Sequence, residues 1–182
     1  MPRLFVALDF PQQAREALLG LCHGVPGAKW AEPGQIHLTL RFIGEVDGGV
    51  FEDVASALGE VRAGAFEVAL KGVGHFPPGG RRVRVLWAGV VENEALLRLK
   101  ARVESSLASL GLEPKGGKFN PHVTLARIKS APPARVARFL SDNALFQAGP
   151  VPVRDFHLYS SQLGSERAIH RIEASYPLLD AP

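Results

Sequence analysis

Two stretches of the chain decide its reading: His37-Leu38-Thr39-Leu40-Arg41-Phe42-Ile43 and His122-Val123-Thr124-Leu125-Ala126-Arg127-Ile128. They lie 85 residues apart, and His, Thr, Leu and Ile fall at the same places in both. The sequence has 182 residues and only two threonines, Thr39 and Thr124, each two positions after one of its six histidines. Chance placement of both is on the order of one in a thousand. In a strand, residues i and i+2 share a face. His37 and Thr39 therefore point one way, with Leu38 and Leu40 opposite. His122 and Thr124 repeat the arrangement against Val123 and Leu125. Each unit sets an imidazole beside a hydroxyl on a wall whose back is apolar. Two such strands, as neighbours or symmetry mates, face two His–Thr pairs across one cleft.

Opposed imidazoles suit proton transfer near neutral pH, one accepting while the other donates. Hydroxyls beside them can donate to phosphoryl oxygens, where transition-state charge concentrates. A core histidine satisfied by its own threonine accounts for one such unit but gives no reason for a second. Zinc on two strand histidines needs a third ligand. No carboxylate lies nearby on the histidine faces, and the one cysteine, Cys22, falls on a predicted helix, so neither metal nor cofactor is expected. Ser160-Ser161 lacks the context of a nucleophile elbow.

Around the two units the chain alternates strand and helix patterns. Strands are predicted over 3–9, 36–44, 65–71, 82–91, 121–128, 151–160 and 167–174. A helix opens at Pro11 and carries Ala14, Ala17, Leu18, Leu21 and Cys22 on its apolar side, where the thiol reads as buried and inert. Asp47 and Asn93 are candidate N-caps for two further helices. Gly111 is suited to end the second of these, and a short helix falls near 133–140. Several consecutive strands read as hairpin-linked, which favours an α+β fold with antiparallel sheet. No linker separates two independent domains.

Apolar residues make up 46% of the chain and charged residues 21%, a balance that excludes disordered and collagenous classes. A single cysteine allows no intrachain disulfide and fits a reducing compartment. The N-terminal apolar run is too short for a signal segment, and no stretch reaches the roughly 20 apolar residues of a membrane span. A cytoplasmic protein with no membrane association is expected. The formal charge is +3, with 15 arginines among the 21 basic residues. That arginine share allows a modest preference for polyanions, or else only a codon bias and a solvated surface.

With both units in hand, the sequence resembles the 2H phosphoesterase superfamily, named for two His-x-Thr/Ser-x motifs. More narrowly, it resembles the RNA 2′,3′-cyclic phosphodiesterases, also called 2′-5′ RNA ligases (the LigT-like group). The resemblance runs nearly end to end. It includes Arg3-Leu4-Phe5-Val6-Ala7-Leu8, the first motif through Gly44, Gly72-Val73-Gly74-His75-Phe76-Pro77, Val85-Leu86-Trp87-Ala88-Gly89-Val90, and Pro121 through Arg127. It implies a bilobal, pseudo-symmetric α+β fold with mostly antiparallel sheets flanking a central cleft. The whole of 1–182 is then one domain of two interleaved lobes. It also implies opening of a terminal RNA 2′,3′-cyclic phosphate to a 2′-phosphate, with His122 as proton acceptor, His37 as proton donor, and Thr39 and Thr124 on the phosphate oxygens. The reverse reaction joins a 5′-hydroxyl in a 2′-5′ linkage. The implied partner is RNA carrying such an end, tRNA fragments among the candidates. No obligate protein partner is expected, and a monomer is the default. The family often has a tyrosine after a Ser-x-Leu and a glycine. Here Ser161-Gln162-Leu163-Gly164 is present, and His170 stands about where the tyrosine would fall.

Two arginines are candidate phosphate ligands. Arg41 shares the His37 face by strand parity. Arg127 is favoured by the family motif, although parity sets it opposite His122 unless a bulge turns it. Lys115 and Lys118 lie on a loop before the second motif and are candidates for the RNA backbone, or else a solvated turn. Phe42 and Phe119 are read as buried, with base stacking the alternative. His75 and His157 lack a threonine two residues on and are read as structural or surface residues. Two other functions remain: a non-catalytic binder of RNA ends that retains the cleft, and a zinc hydrolase.

Overall fold

The computed structural model describes residues 1–80 and 82–180. Its strands are β1 (Arg3–Leu8), β2 (Ala28–Trp30), β3 (Leu38–Glu45), β4 (Phe66–Phe76), β5 (Val85–Val90), β6 (His122–Ile128), β7 (Gln147–Val153), β8 (Asp155–Leu163) and β9 (Ala168–Pro177). Its α-helices are α1 (Gln12–Leu19), α2 (Gly48–Gly59), α3 (Glu94–Ala108) and α4 (Pro133–Asp142), with a 3-10 turn at Pro33–Gln35.

Eight strands form one sheet in the order β7-β4-β5-β6-β3-β1-β8-β9, and β2 pairs with β6 beside that path. Every pairing between these strands is antiparallel. The order is symmetric about its middle. From β6 the chain of neighbours runs β5, β4, β7; from β3 it runs β1, β8, β9. The halves interleave in sequence, since β8 and β9 return to the half begun by β1 and β3. The two halves meet where Leu38 lies opposite Val123, so the seam of the sheet falls between the two motif strands. The expected α+β fold with two related halves is the observed one.

One face of the sheet is covered by helices and holds the main core. β1 shows the division. Leu4, Val6 and Leu8 enter the helix-covered core, while Phe5 and Ala7 join Tyr159 in a small cluster on the other face. All five are buried, which explains why β1 has no charge between Leu4 and Leu8. In α3, Leu96, Leu99, Val103 and Leu107 recur at helical spacing and are fully buried. Each contributes about 1.5–3 kcal/mol. Asn93 caps this helix by accepting from the Leu96 amide at 3.0 Å, and Asp47 caps α2 by accepting from Val50 at 2.9 Å.

Three sequence expectations change, and one strand, β2, is added. The strand expected over 151–160 is two, β7 and β8, broken at Arg154. The strand expected to end at 71 runs to Phe76, because a bulge after Leu70 with Gly72 at φ +68° carries it through the glycine-rich stretch. Helix α1 stops at Leu19, so Cys22 lies in the turn after it; its thiol is half-buried and burial pushes it up to about 11. Strand β2 has three residues, too few to show a period.

Candidate active site

The uncovered face of the sheet carries both His–Thr units at the seam. Leu38 and Val123 are fully buried on the helix side. In the antiparallel register around that pair, His37 falls beside Thr124 and Thr39 beside His122. Each imidazole is therefore adjacent to both its own threonine and that of the other strand.

Both motif strands carry the same irregularity. Against β1, Thr39 pairs with Ala7 and Arg41 with Val6, so Leu40 is an extra residue. Against β5, Thr124 pairs with Trp87 and Ala126 with Leu86, so Leu125 is the extra one. Such a bulge reverses the facing of everything beyond it. Arg127 is thereby turned onto the His122 face, where it is exposed, and its positive charge lowers both His37 and His170.

The same bulge overturns the expectation for Arg41. Arg41 is only 7% exposed and faces the helices. Its guanidinium is ion-paired to Glu104. It also donates to the Phe42 carbonyl at 3.0 Å, Leu112 at 3.2 Å and Glu113 at 2.8 Å. Lys100 joins the network, donating to Glu104 at 2.5 Å and to the Leu40 carbonyl at 2.6 Å. Arg41 is a buried structural arginine with its donors committed. Phe42 is corrected in the opposite sense: read as buried, it is 59% exposed on the site face, with its ring 5.9 Å from Phe5. Phe119 packs against the core under the Lys100 ammonium, 5.0 Å away. Lys115 and Lys118 are exposed, and the Lys115 ammonium reaches Gly44, at the opposite end of β3 from His37.

The two histidines differ in environment. His122 has its Nδ1 2.7 Å from the Asn120 carbonyl. A proton on Nδ1 satisfies that contact and leaves the Nε2 lone pair free. Its ring lies against Phe76 (4.9 Å, 82°) and near Trp87 (6.3 Å). His37 lies against Phe5 at 4.9 Å, His170 at 5.3 Å and Tyr159 at 5.9 Å. Burial, and then the neighbours His170, Arg127 and His122, push it down to about 3. His37 is therefore neutral at pH 7. Burial also lowers His170, followed by Arg127. Sequence reasoning marked the position of His170 but did not place it in the site. Its strand, β9, is the edge of its half-sheet, and only the fold brings it to His37. His75 contacts the Pro77 carbonyl through Nδ1 at 2.9 Å, and buried His157 contacts Ser175 Oγ at 2.8 Å; both are structural as expected.

A two-fold repeat of histidine and threonine on the seam of a pseudo-symmetric antiparallel sheet defines a 2H phosphoesterase. The chain belongs to the 2′-5′ RNA ligase superfamily, whose family model matches residues 10–164. It is 36% identical over 172 residues to an RNA 2′,3′-cyclic phosphodiesterase of Archaeoglobus fulgidus, covering 93% of this chain and 96% of that protein. It is 39% identical over 151 residues to one of Aeropyrum pernix, covering 81% and 84%. Among solved structures, E. coli LigT in apo form superposes with a TM-score of 0.79 at 26% identity, covering 98% of each chain.

Proposed function

We propose that this chain hydrolyses the 2′,3′-cyclic phosphate at an RNA end to a 2′-phosphate. The observation that carries the proposal is the meeting of two His–Thr units on one face at the Leu38–Val123 seam, where each imidazole has two hydroxyls beside it. A relative at 36% identity bears the name of this activity, which supports the same reading. In the reaction, His122 takes a proton from water through its free Nε2, and the water oxygen bonds to phosphorus. The P–O3′ bond breaks, and His37 delivers a proton to the departing 3′-oxygen. Thr39 and Thr124 donate to the phosphate oxygens, and Arg127 stands beside them. With a 5′-hydroxyl in place of water, the same groups in the same roles form an O5′–P bond as P–O3′ breaks and so make a 2′-5′ linkage.

His37 must carry a proton to serve as the acid. Burial first, and then neighbours that include the Arg127 guanidinium, hold it neutral, and a bound phosphate anion between His37, His122 and Arg127 offsets that positive charge. Acid and substrate are thus coupled: binding the anion favours the protonated imidazole. The proposed protein is one domain of two interleaved lobes, monomeric and cytoplasmic, with an RNA end as its partner. Among the described residues no helix is long and apolar enough to cross a membrane.

The test is incubation with a short RNA ending in 2′,3′-cyclic phosphate, with the product resolved as 2′- or 3′-phosphate. A 2′-phosphate is expected, with turnover lowered roughly 100-fold or more in His37→Ala and in His122→Ala. Excess chelator should leave the rate unchanged. Full activity of both variants overturns the assignment. Salt-sensitive binding without turnover identifies a binder of RNA ends instead.

A further inference from the structure

His37 and His122 occupy equivalent places in the two halves but are held by different means. The residue two positions before His122 is Asn120, whose carbonyl lies 2.7 Å from the His122 Nδ1. The residue two positions before His37 is Gln35, at the equivalent place. Yet the His37 Nδ1 is buried and has no hydrogen-bond partner among the described residues. The His37 ring is held by other rings. Phe5 lies 4.9 Å away at 34°, and His170 stands perpendicular to it at 5.3 Å and 82°. His170 is itself edge-on to Phe5, at 5.1 Å and 78°. Perpendicular and offset rings at these separations attract.

The strand that carries His170 is tied down across the cleft. In the turn between β8 and β9, Arg167 donates to the Trp30 carbonyl at 2.9 Å and pairs with Glu32 at 3.2 Å. Lys29 donates to the Glu166 carbonyl. The Gln35 side chain donates to the Ala168 carbonyl at 3.2 Å, while its oxygen accepts from the Glu32 amide at 3.1 Å. The turn is thus fastened to β2, which pairs with β6, and to the segment that leads into His37. β9 is an edge strand held on one side by its pairing with β8, and these ties anchor the end that carries His170 from the other side. Fastened, it brings His170 against His37.

We propose that His170 is a positioning residue for His37: its perpendicular ring fixes the imidazole in the first half as the Asn120 carbonyl fixes His122 in the second. The groups facing His37 are His170 from β9, Arg127 and His122 from β6, Tyr159 from β8 and Phe5 from β1. Of these, His170 is the one on an edge strand, next to the turn that these contacts fasten. The proposal rests on His37 serving as the acid of the reaction above, and its test is chosen to separate the two.

The His37 imidazole is followed by NMR through a pH titration of the free protein, alongside kcat and KM on RNA ending in 2′,3′-cyclic phosphate. His170→Ala should lower kcat by about 10-fold or more with KM nearly unchanged, because the lost interaction acts on the proton donor and not on binding. It should also raise the His37 midpoint by about one pH unit or more, since it opens the ring to water. His170→Phe keeps the ring and should restore most of kcat, with the midpoint still low. If alanine unfolds the β8–β9 hairpin, His170→Gln removes the ring while keeping polar bulk, and the same losses are expected. A phenylalanine variant as impaired as the alanine one overturns the proposal, because the ring nitrogen would then be what matters. So does an alanine variant with unchanged kcat and His37 titration. Absence of turnover in the wild type overturns the catalytic assignment, while the NMR titration still decides whether His170 governs His37.

Discussion

Phe42 stands on β3 where Arg127 stands on β6: each is five residues past its motif histidine, and each is turned onto the site face by the bulge before it. The pseudo-symmetry of the fold thus breaks at one decisive place, with an exposed aromatic ring in one half and an exposed guanidinium in the other. A phosphate with its attached nucleoside needs both kinds of contact. Arg127→Ala should raise KM for the cyclic-phosphate RNA about 10-fold and flatten its dependence on salt, as loss of one phosphate contact does. Phe42→Ala should raise KM by a comparable factor through lost stacking and leave the salt dependence as it was. Both side chains are exposed, so thermal stability should change little in either variant. Steady-state kinetics at several salt concentrations separates the two losses.

Arg41, just past the same β3 bulge, faces the opposite side of the sheet, and its replacement should have the opposite signature. Its ion pair with Glu104 is buried, and it satisfies the Leu112 and Glu113 carbonyls as well. Arg41→Met leaves the part-buried Glu104 carboxylate with only Lys100, and three carbonyls lose a charged donor. Loss of one member of such a network costs about 2–4 kcal/mol. Thermal or denaturant unfolding should register that loss, while KM of the protein that remains folded stays near the wild-type value. A phosphate ligand would show the reverse pattern.

Much of this fold was legible in the residues. The motif strands, the caps Asp47 and Asn93, and the apolar stripe of α3 follow from local periodicity, which the core then uses directly. The bulges at Leu40 and Leu125 were not legible. Each is an extra residue of ordinary type, and it exists only relative to the neighbouring strand. Parity therefore placed His37, Thr39, His122 and Thr124 together but failed for Arg41 beyond the bulge. It set Arg127 on the wrong face for the same reason, and Phe42, read as buried, is likewise turned outward by its bulge. His170 was invisible as a site residue because its contact with His37 reaches over β1 and β8 within one half of the sheet. Nothing in the strand pattern of β9 encodes the ties that Lys29, Gln35 and Arg167 make.

The second half of the site rests on a glycine. A Cβ at Gly74 would fall 2.2 Å from the Trp87 ring, so the indole lies flat on a position where no larger residue fits. Trp87 in turn lies beside His122 and pairs with Thr124. Gly74→Ala must push the indole outward, at a cost of about 1–3 kcal/mol. The displaced ring crowds His122 and Thr124, so kcat should fall several-fold. Trp87→Leu in the same background should recover stability, because it removes the clash. Unfolding curves of the single and double variants, compared with Trp87→Leu alone, measure the coupling.

The low value of His37 has a consequence for stability that does not depend on catalysis. Its folded-state pKa, about 3, lies below the ordinary histidine value of 6.5. Between those two values the unfolded chain binds a proton that the folded protein refuses. Stability therefore falls as pH drops through that window and is unaffected by this group above it. Part of the shift is screened because His37 is only half-buried, which leaves an effect on the order of 1 kcal/mol at pH 5. His37→Gln removes the titration and keeps the polar bulk. Its melting temperature should decline less than the wild-type value between pH 7 and pH 5, even if it is lower at pH 7. Arg127→Ala removes a positive neighbour of His37 and should lessen the wild-type decline in the same direction. Saturating phosphate should do likewise in the wild type, because an anion in the cleft lets the folded protein accept the proton. Parallel wild-type and His37→Gln curves across this range would mean that the His37 imidazole is not shifted in the folded protein.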